Sequence, residues 1–512
     1  MASLTRPMYN FRKKLSWYHH HGYWLVHLTL VSLLVGPIMM VGAFVPYKTS
    51  QRFSLARNLG GGSEPNLNVA VIGAGPAGLL LSHLLLQQEN VKVTVLESRS
   101  DPRREETEQR AYALGLGIRG RTAIRQVDEN LWQAVKKRGF ESERFKLHIG
   151  GFTLTLRSEK DGKRENDTIE PSLLLFQSSL CAALTDELER RHANSNSLRL
   201  LFDHRVEKIS VGSMTLDTKD DNNGSKRLGP FDLVIGCDGV NSVVRATMEE
   251  QFPAFQAYKE PIPGEYKVVR LKTAPPKVDP AGVALIFPKK GSTVAFFEPT
   301  GNDGSCCILF SGRANGPILS NTNNITSMME SLSEAFPYWE DFHNTIAEQL
   351  MSQKPGAAAT VVCNTYHCGG KIVLVGDAAH ATGGVSGQGV NSALMDSVAL
   401  AQCLRQNRND LPLALLNYSK QQVPEGKALY EISFGPKPKG LKAVRWALVN
   451  ARDTLFRGRW RIGRPPIQTR LTTSLDSFSD MRRDRDKYYP APFPQDSEFQ
   501  EQLEKLHQQM LN

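Results

Sequence analysis

The residues best placed for chemistry lie in one stretch, Lys371–Leu400, with the sequence KIVLVGDAAHATGGVSGQGVNSALMDSVAL. A short apolar run rich in β-branched residues, Ile372–Val375, predicts a buried strand that ends at Gly376 and Asp377. A carboxylate at a strand end can accept hydrogen bonds from sugar-like hydroxyls. The loop that follows contains the glycines Gly383, Gly384, Gly387 and Gly389.

These glycines would let the backbone approach a flat ring closely, because glycine has no side chain. A helix that begins near Gly389 would point its free N–H groups and positive dipole end at that ring. This arrangement would stabilise a transient anion, such as a reduced flavin. The simpler interpretation is a glycine-rich loop before a capped helix, and two further motifs bear on the choice.

A second motif, near the start of the folded chain, is typical of a dinucleotide site. An apolar strand, Leu67–Ile72, is followed by a helix to about Gln88 and by a second strand, Val91–Leu96, that ends at Glu97. The first turn carries the GxGxxG glycines Gly73, Gly75 and Gly78. Such glycines seat a pyrophosphate on the helix N-terminus, while the acid accepts from ribose hydroxyls. Glu97 disfavours a 2′-phosphate, so the motif predicts FAD or NAD and not NADP.

A third motif follows another apolar strand, Phe231–Gly236. It begins with Asp238 at the strand end and continues with Ser242 and Arg245 at helical spacing. An ordinary turn before an N-capped helix would use the same residues. The motif alone does not distinguish a ligand site from an ordinary turn. Its position between the other two motifs favours a ligand site.

The elements around the motifs predict an α/β chain with a second subdomain. Four short strands between 266 and 311, joined by tight turns, predict an antiparallel sheet. Single helices are predicted over Thr122–Arg138 and Leu173–Arg191, and long helices follow the Gly389 region. Pro424 is expected to kink or divide one of these long helices.

Composition and charge limit the function. The chain has 512 residues, a net charge of +10, and seven cysteines without a CxxC pair. We expect no structural disulfide and no metal site. Residues 436–475 contain ten Lys/Arg and one acid, Asp453. This basic segment predicts contact with an anionic lipid surface or an acidic partner, or else a solvated surface. No nucleic-acid-binding module is found, so we expect no nucleic-acid partner.

The first 63 residues have the composition of a targeting segment. A basic start precedes an apolar run of 18 residues, Trp24–Val41, and a small-residue cleavage site. The next stretch, Phe44–Ser63, has three cations and no acid. This order resembles the bipartite presequences of algae with secondary plastids, so we expect a plastid location. The alternative is a membrane anchor over 24–41, since 18 apolar residues can just span a bilayer.

The three motifs in this order resemble those of the single-component (group A) flavin monooxygenases, a family of aromatic hydroxylases. The likeness covers about residues 66–430 and is most marked to the kynurenine 3-monooxygenase subfamily. Supporting stretches are RAYALGLGIRGR at Arg110–Arg121 and LVIGCDGVNSVVR at Leu233–Arg245. The resemblance implies a glutathione-reductase-like, FAD-binding Rossmann domain with an inserted antiparallel-sheet substrate subdomain and C-terminal helices.

The resemblance and the composition together predict four parts. These are a targeting or anchor segment over 1–63, an FAD-binding domain over 64–255 and 360–435, a substrate subdomain over 256–359, and a basic helical extension over 436–512.

Carried over by position, the resemblance implies FAD contacts beyond the fingerprint glycines. They are Ala77, Glu97, Arg99, Gly115, Val206, Asp377, Val390 and Asn391. We add Gln177, which stands where the subfamily has an FAD-contacting arginine, and Asp238, Gly376, Gly387 and Gly389 of the motifs. His380 is expected to hold its loop, and Asp396 to be a solvated or capping carboxylate.

The substrate side departs from the subfamily. The loop facing the flavin usually carries a proline and bulky aromatic residues, whereas here it is Gly383, Gly384, Val385 and Ser386. The carboxylate-binding arginine of the kynurenine enzymes falls near Phe145, with Arg144 one place off. Their later substrate tyrosine falls in 434–437, which has none. Because a buried unpaired carboxylate is costly, we expect a substrate that is larger and less charged than kynurenine.

The function implied is hydroxylation or epoxidation of an electron-rich aromatic or polyene molecule. FAD would be the cofactor, NAD(P)H the transient reductant and O₂ the oxidant, through a flavin C4a-hydroperoxide. No side chain stands out as a general base. The alternatives are a flavin-dependent reductase or epoxidase of isoprenoids, and a non-catalytic FAD-containing partner protein. The expected partner is a small aromatic or isoprenoid substrate, and the sequence leaves the oligomeric state open.

Overall fold

The structure is a computed structural model of the chain. It describes residues 67–104, 112–157, 163–164, 167–168, 170–220, 224–319, 324–384, 386–435, 439–449, 467–484 and 496–511. The predicted targeting segment, 1–63, and the alternative anchor within it lie outside these residues.

The chain divides into two units. The smaller comprises Met1–Phe44 and Pro438–Thr469, and the larger comprises Val45–Lys437 and Arg470–Asn512. In the described part of the smaller unit, residues 441–449 form a helix. The segment predicted as one extension, 436–512, is thus divided, because its residues from Arg470 onward belong to the larger unit.

A six-stranded sheet lies at the centre of the larger unit. In spatial order its strands are β10 (Leu198–Leu201), β2 (Val91–Leu96), β1 (Leu67–Ile72), β14 (Leu233–Gly236), β22 (Ile372–Leu374) and β21 (His367–Cys368). The first five are parallel, and β21 is antiparallel to β22. Ile72 pairs with Leu96 and Gly236, and Gly236 pairs with Leu374. The three motifs therefore begin at the same carboxyl edge.

Both faces of this sheet are covered. Val69 and Ala70 of β1 point to opposite faces, and both are completely buried. This explains why its strands are near-continuous apolar runs.

The helices of the described chain, apart from 441–449, are α1 (Pro76–Leu85), α2 (Ile118–Arg125), α3 (Glu129–Lys136), α4 (Gln177–His192), α5 (Val243–Gln251), α6 (Ile325–Ala335), α7 (His343–Ser352), α8 (Gly389–Gln406), α9 (Leu411–Phe434), α10 (Ile467–Thr473), α11 (Phe478–Arg483) and α12 (Asp496–Leu511).

A second six-stranded sheet occupies most of the range predicted as the substrate subdomain. In spatial order its strands are β16 (Glu265–Leu271), β19 (Cys306–Gly312), β18 (Val294–Pro299), β17 (Gly282–Ile286), β5 (Arg144–Ile149) and β6 (Phe152–Arg157). Neighbours are antiparallel, except that β17 and β5 are parallel. Because β5 and β6 precede residue 255, the sheet draws on both sides of the predicted boundary.

One face of this second sheet is covered by helices. Ala295 and Phe297 of β18 belong to an apolar cluster with Met328 of α6. Side chains alternate across a strand, so Phe296 and Glu298 point to the other face. We call this other face the chamber face.

Smaller sheets complete the larger unit. They are β15 (Ala257–Pro261), β20 (Ala359–Cys363) and β23 (His380–Thr382); β3 (Ala113–Leu116), β9 (Ser172–Phe176) and β4 (Phe140–Ser142); β11 (His204–Ser210), β12 (Thr215–Asp220) and β13 (Ser225–Leu228); and β7 (Lys163–Arg164) with β8 (Asp167–Thr168). Short 3₁₀ turns occur at Gly239–Asn241, Pro337–Phe342 and Gly376–Ala378.

Two helix predictions were wrong in detail, and one of the two effects expected of Pro424 is not seen. Leu173–Arg191 is strand β9 followed by α4, because β9 pairs with both β3 and β4 and this pairing overrides the helical preference of a leucine run. Thr122–Arg138 falls partly in α2 and partly in α3, since Asp128 caps a new helix by accepting from the Leu131 N–H at 2.8 Å. Pro424 does not divide α9, which continues through it.

Candidate cofactor and substrate site

The turn between β1 and α1 forms an open cradle. A Cβ on Gly73 would overlap the carbonyl of Cys237, and one on Gly78 would overlap the carbonyl oxygen of Gly73. These two glycines therefore let the turn pack closely against the neighbouring strand end. Gly75 differs, because a Cβ there would meet no protein atom within 4 Å. No side chain caps the N-terminus of α1, so its first N–H groups face this open space.

Glu97 lies beside this cradle at the end of β2. Its carboxylate accepts from the backbone N–H groups of Ala74 and Arg99, each at 2.9 Å. The two bonds fix the carboxylate while leaving acceptor positions unused. The Arg99 guanidinium is 77% exposed, with its Nε 4.0 Å from Glu97. Glu97 is thus well placed to accept from ligand hydroxyls next to the α1 N-terminus.

The third motif connects the other two. The Oδ2 atom of Asp238 accepts from the Val243 N–H at 2.7 Å, whereas its Oδ1 is buried without a hydrogen-bond partner. Burial raises the pKa of Asp238. Arg245 is buried and donates to the carbonyls of Ala378 at 2.9 Å and Val240 at 2.6 Å. Arg245 therefore ties this motif to the turn that carries Asp377.

Asp377 is the least engaged carboxylate at this edge. Within the described residues it has no hydrogen-bond or ion-pair partner, and burial raises its pKa. A Cβ on Gly389 would meet only the Asp377 Oδ1 atom, at 3.9 Å, and one on Gly387 would meet nothing. The N-terminus of α8 has no side-chain cap. Carboxylate, open glycines and free helix end together form a second cradle.

His380 and Asp396 form a buried pair that supports the turn at Gly376 and Asp377. His380 Nε2 lies 2.6 Å from Asp396 Oδ2, which also accepts from the Gly376 N–H at 3.2 Å. Burial opposes the charged imidazolium, but the Asp396 carboxylate outweighs it and raises the pKa of His380. The prediction that Asp396 is solvated or capping was wrong, because it is 1% exposed and paired across the turn.

Asn391 joins the start of α8 to β3 and α2. Its Oδ1 accepts from Gly117 and Gly120 N–H groups at 2.9 and 3.2 Å, and its Nδ2 donates to the Gly115 carbonyl at 3.0 Å. Gly115 and Asn391 are therefore brought together, as the resemblance implies. The side chain is occupied by protein groups, so contact with a ligand would come from its backbone.

Other predicted contacts lie further along the edge. The Gln177 N–H donates to the Tyr112 carbonyl at 3.0 Å, which places Gln177 where β9 passes into α4. The Val206 side chain is 8% exposed within the core beside β11, so only its backbone is available to a ligand. Ala77 lies in the first turn of α1, and Val390 in the first turn of α8.

The predicted substrate-side loop is a tight glycine turn. Gly383 and Gly384 have positive φ angles of 56° and 81°. Ser386 Oγ accepts from the Gln388 N–H at 3.1 Å and lies 3.0 Å from the Thr382 hydroxyl. These bonds close the turn beside the open Gly387. Val385 lies outside the described residues.

Sequence reasoning missed the side chains of the chamber face. Arg270 of β16 pairs with Cys307 of β19, which pairs with Glu298 of β18, so the three form a row across the sheet. The Arg270 guanidinium lies 3.9 Å from the centre of the Phe176 ring. Glu298 directly follows the apolar run Val294–Phe297. An acid directly after an apolar strand run was the signal that could have found it.

Tyr112 lies between the chamber face and the second cradle. Burial raises its pKa, and the charges of Asp377 and Tyr266 act in the same direction, so all three groups are near one another. Tyr112 is nevertheless 39% exposed. In the described parts of the chain, no group of three or more His, Cys, Asp or Glu side chains could hold a metal ion.

Comparison with known proteins identifies the family. A family model described as an FAD binding domain matches residues 66–431. The kynurenine 3-monooxygenase of Salinispora tropica is 27% identical over 370 residues, which cover 71% of this chain and 78% of the relative. That of Myxococcus xanthus is 30% identical over 344 residues, which cover 66% and 70%.

Solved structures share the fold. The tetrameric form of 2-methyl-3-hydroxypyridine-5-carboxylic acid oxygenase has a TM-score of 0.60 at 17% identity, and the match covers 80% of this chain and 96% of that one. Pseudomonas aeruginosa PqsL, in complex with 2-aminobenzoylacetate, has a TM-score of 0.55 at 20% identity over 72% and 94%. The predicted α/β fold, an FAD-binding Rossmann domain with a substrate sheet, is confirmed. The chain belongs to the FAD-binding-domain family and is a single-component FAD-dependent monooxygenase of the kynurenine 3-monooxygenase-like type.

Proposed function

We propose that this protein uses FAD, NAD(P)H and O₂ to hydroxylate or epoxidise an electron-rich aromatic or polyene molecule. One observation carries the proposal: three motifs meet at the carboxyl edge of one parallel sheet, where two open glycine cradles adjoin two carboxylates. Relatives named kynurenine 3-monooxygenase support an aromatic substrate class.

The residues at this edge fit FAD. The free N-terminus of α1 at Gly75 suits a pyrophosphate, and the fixed carboxylate of Glu97 suits ribose hydroxyls. Asp377, which has no partner within the described chain, suits the hydroxyls of the ribityl chain. The open space at Gly387 and Gly389 suits a flat ring. Further contacts are proposed for Gly73, Ala77, Gly78, Arg99, Gly115, Gln177, Val206, Asp238, Gly376, Val390 and Asn391.

When bound, FAD accepts hydride from NAD(P)H and activates O₂. The protein's own part is to position and shield. The N-terminus of α8 presents a positive dipole end to negative charge that develops beside Gly389. Arg245 holds the Ala378 carbonyl and thereby keeps Asp377 in place. On the chamber face, the Phe296 and Phe145 rings help to keep water from the space where substrate would lie.

The substrate side supports a molecule other than kynurenine. Phe145 packs edge-on against Phe296, with ring centres 6.4 Å apart, and so faces the chamber. Arg144 points to the opposite face, where its Nη1 lies 3.4 Å from Asp279. Neither Phe145 nor Arg144 therefore presents a cation to the chamber face at this place. We propose a less charged aromatic or polyene substrate.

Spectroscopy and turnover of the full-length protein test this function. The flavin absorbance of the purified protein is recorded first, and NAD(P)H oxidation under air is then followed with panels of aromatic, quinone and carotenoid compounds. Ligand-stimulated oxidation with ¹⁸O from labelled O₂ in the product is the expected result. Failure to bind FAD on reconstitution would overturn the proposal. Bound FAD that neither nicotinamide reduces would favour a reductase with another donor or a non-catalytic flavoprotein.

We further propose that residues 1–63 direct the protein to a plastid, on the strength of their order of basic, apolar and hydroxylated stretches. Expression of 1–63 fused to a fluorescent protein, in an alga with secondary plastids, tests this. Reticular or plasma-membrane fluorescence would favour the anchor instead.

The basic segment 436–475 is proposed to meet an anionic lipid surface. Within its described helix, 441–449, three apolar side chains are exposed on a helix that also carries Lys442 and Arg445. They are Leu441, Val444 and Leu448. Nowhere in the described chain is a helix long and apolar enough to cross a bilayer. Sedimentation with phosphatidylglycerol vesicles should exceed that with neutral vesicles, and equal sedimentation would contradict the proposal.

A further inference from the structure

Glu298 is a buried acid on the chamber face. It lies on β18 between Phe297 and Pro299, and Phe297 packs into the helix-covered cluster on the opposite side. The strand pairing places Glu298 directly opposite Cys307, whose thiol is close to the backbone of Ala113 in β3. Glu298 therefore projects into the space between the second sheet and the strands that lead to Gly115 and Gln177.

In the part of the chain that the structure describes, this carboxyl group has no protein partner. Glu298 is 8% exposed, and within the described residues it makes no hydrogen bond or ion pair. The Glu298 oxygens nevertheless retain some solvent-accessible surface, whereas the unpaired Oδ1 of Asp238 is fully buried. Burial, as the sole cause, raises the pKa of Glu298 to about 7. A buried acid without a partner is costly in the fold alone, and perturbed acids in clefts mark binding sites.

The surroundings of Glu298 are mostly apolar or aromatic. Phe296 shares its strand and face and packs against Phe145. Cys307 separates Glu298 from Arg270, whose guanidinium lies over the Phe176 ring. Two strand spacings, roughly 10 Å, separate the Arg270 and Glu298 backbones. Strands β3 and β9 already cover the face at Cys307 and Arg270, so an apolar ligand would lie on the part of it around Phe296 and meet the acid at one edge.

We propose that Glu298 is the specificity-determining residue of this site and that the substrate presents to it an aromatic amine or a phenolic hydroxyl. The inference rests on the proposed function and specifies its substrate class. It also fits a face on which a phenylalanine stands near the place of the expected arginine, while the Arg270 guanidinium on that face already lies over the Phe176 ring. An N–H or O–H donor from the ligand would satisfy the carboxyl oxygen that the described residues leave unpaired.

The test uses full-length, FAD-loaded protein and matched probes. The probes are phenols and aryl amines of one to three rings, each paired with its O-methyl or N,N-dimethyl counterpart, which lacks the donor. The variants are Glu298→Gln, Glu298→Leu and, as a matched control at the rim of the same sheet, Glu265→Gln. Binding is measured by the change in flavin absorbance and by calorimetry, after FAD content and melting temperature have been recorded.

Wild type and the Glu265→Gln control should bind at least one donor probe about tenfold or more tightly than its methylated counterpart. Glu298→Leu should remove this preference while binding the methylated probes at least as well, and Glu298→Gln should reduce it. An undiminished preference in Glu298→Leu, or no preference in FAD-loaded wild type, would overturn the inference alone. Failure of wild type to bind FAD would instead overturn the proposed function.

Discussion

Asp377 shows how one side chain can be arranged for a ligand. Its carboxylate lies at a parallel strand end, is half-buried, and has no partner within the described structure. Its neighbours His380 and Asp396 are paired with each other at 2.6 Å. Asp377 therefore contributes little to the fold and is available to ligand hydroxyls.

Replacing Asp377 by alanine should weaken FAD binding about 10- to 100-fold, because hydrogen bonds to a charged group contribute about 1.5–3 kcal/mol. Fluorescence titration of the FAD-free protein measures the affinity. Asp341→Ala, which removes an exposed carboxylate, is the matched control and should leave affinity unchanged. Because burial raises the pKa of Asp377, Asp377→Asn should not lower the melting temperature of the FAD-free protein at neutral pH. An unaltered affinity in Asp377→Ala would refute its role.

Glu298 should make stability depend on pH. Burial raises its pKa from 4.5 to about 7, so the folded state holds the proton more tightly than the unfolded chain. Stability from this group is fully present below pH 4.5 and is lost as the pH rises to about 7, by about 3 kcal/mol in total. Glu298→Gln should therefore gain on wild type as the pH is raised across this range. Urea unfolding of FAD-free protein near both ends of the range measures the difference, and a constant difference would refute the prediction.

At the scale of elements, the turn between β1 and α1 contains one glycine that matters for stability and another that matters for ligand binding. Gly78 packs against the Gly73 carbonyl, whereas Gly75 has φ −73° and faces open space. Gly75→Ala should change the free energy of unfolding by no more than about 1 kcal/mol yet weaken FAD binding at least about tenfold. Gly78→Ala should cost about 1–3 kcal/mol of stability through overpacking. Denaturant unfolding and FAD titration on both variants measure this contrast, and equal effects on stability would contradict it.

Local spacing explains which elements could be predicted. The first motif is contiguous in the sequence: it consists of β1, the glycine turn, β2 and Glu97. Its geometry can therefore be predicted from local spacing alone. Strand β9 could not be recognised, because its leucines suit a helix equally well until β3 and β4 pair with it. The burial of Asp396 also depends on a partner that is 16 residues away across the turn. The conformation of β9 and the burial of Asp396 depend on contacts with residues that are distant in the sequence. A local sequence pattern contains no information on these contacts.

At the scale of the whole molecule, the C-terminal residues complete the larger unit. Arg119 of α2 is buried and donates to the carbonyls of Leu471 at 2.7 Å and Asp476 at 2.5 Å. Its guanidinium also lies 4.4 Å from the centre of the Phe478 ring. Since α2 also supplies a partner of Asn391, these contacts support the cofactor edge from outside.

Arg119→Met should therefore destabilise the protein by about 1–3 kcal/mol, because the buried Leu471 carbonyl would lose its donor. Thermal or urea unfolding measures the change. Arg104→Met, at a guanidinium that is 65% exposed, is the control and should stay within about 0.5 kcal/mol of wild type. A loss at Arg119 no larger than that of the control would show that 470–484 is dispensable to the larger unit.

The hydrogen bond from Asn391 to Gly115 spans 276 positions, and His507 near the chain end lies 2.8 Å from His367 beside the central sheet. The dinucleotide fingerprint leaves the ribosome early, but the second cradle does not exist until Asn391 has emerged. Strand β21 likewise gains a contact from His507, 140 positions further along the chain. A nascent chain that carries the dinucleotide fingerprint but not yet Asn391 should therefore lack half of its flavin site, and tight binding of FAD should begin only after that residue has joined β3 and α2.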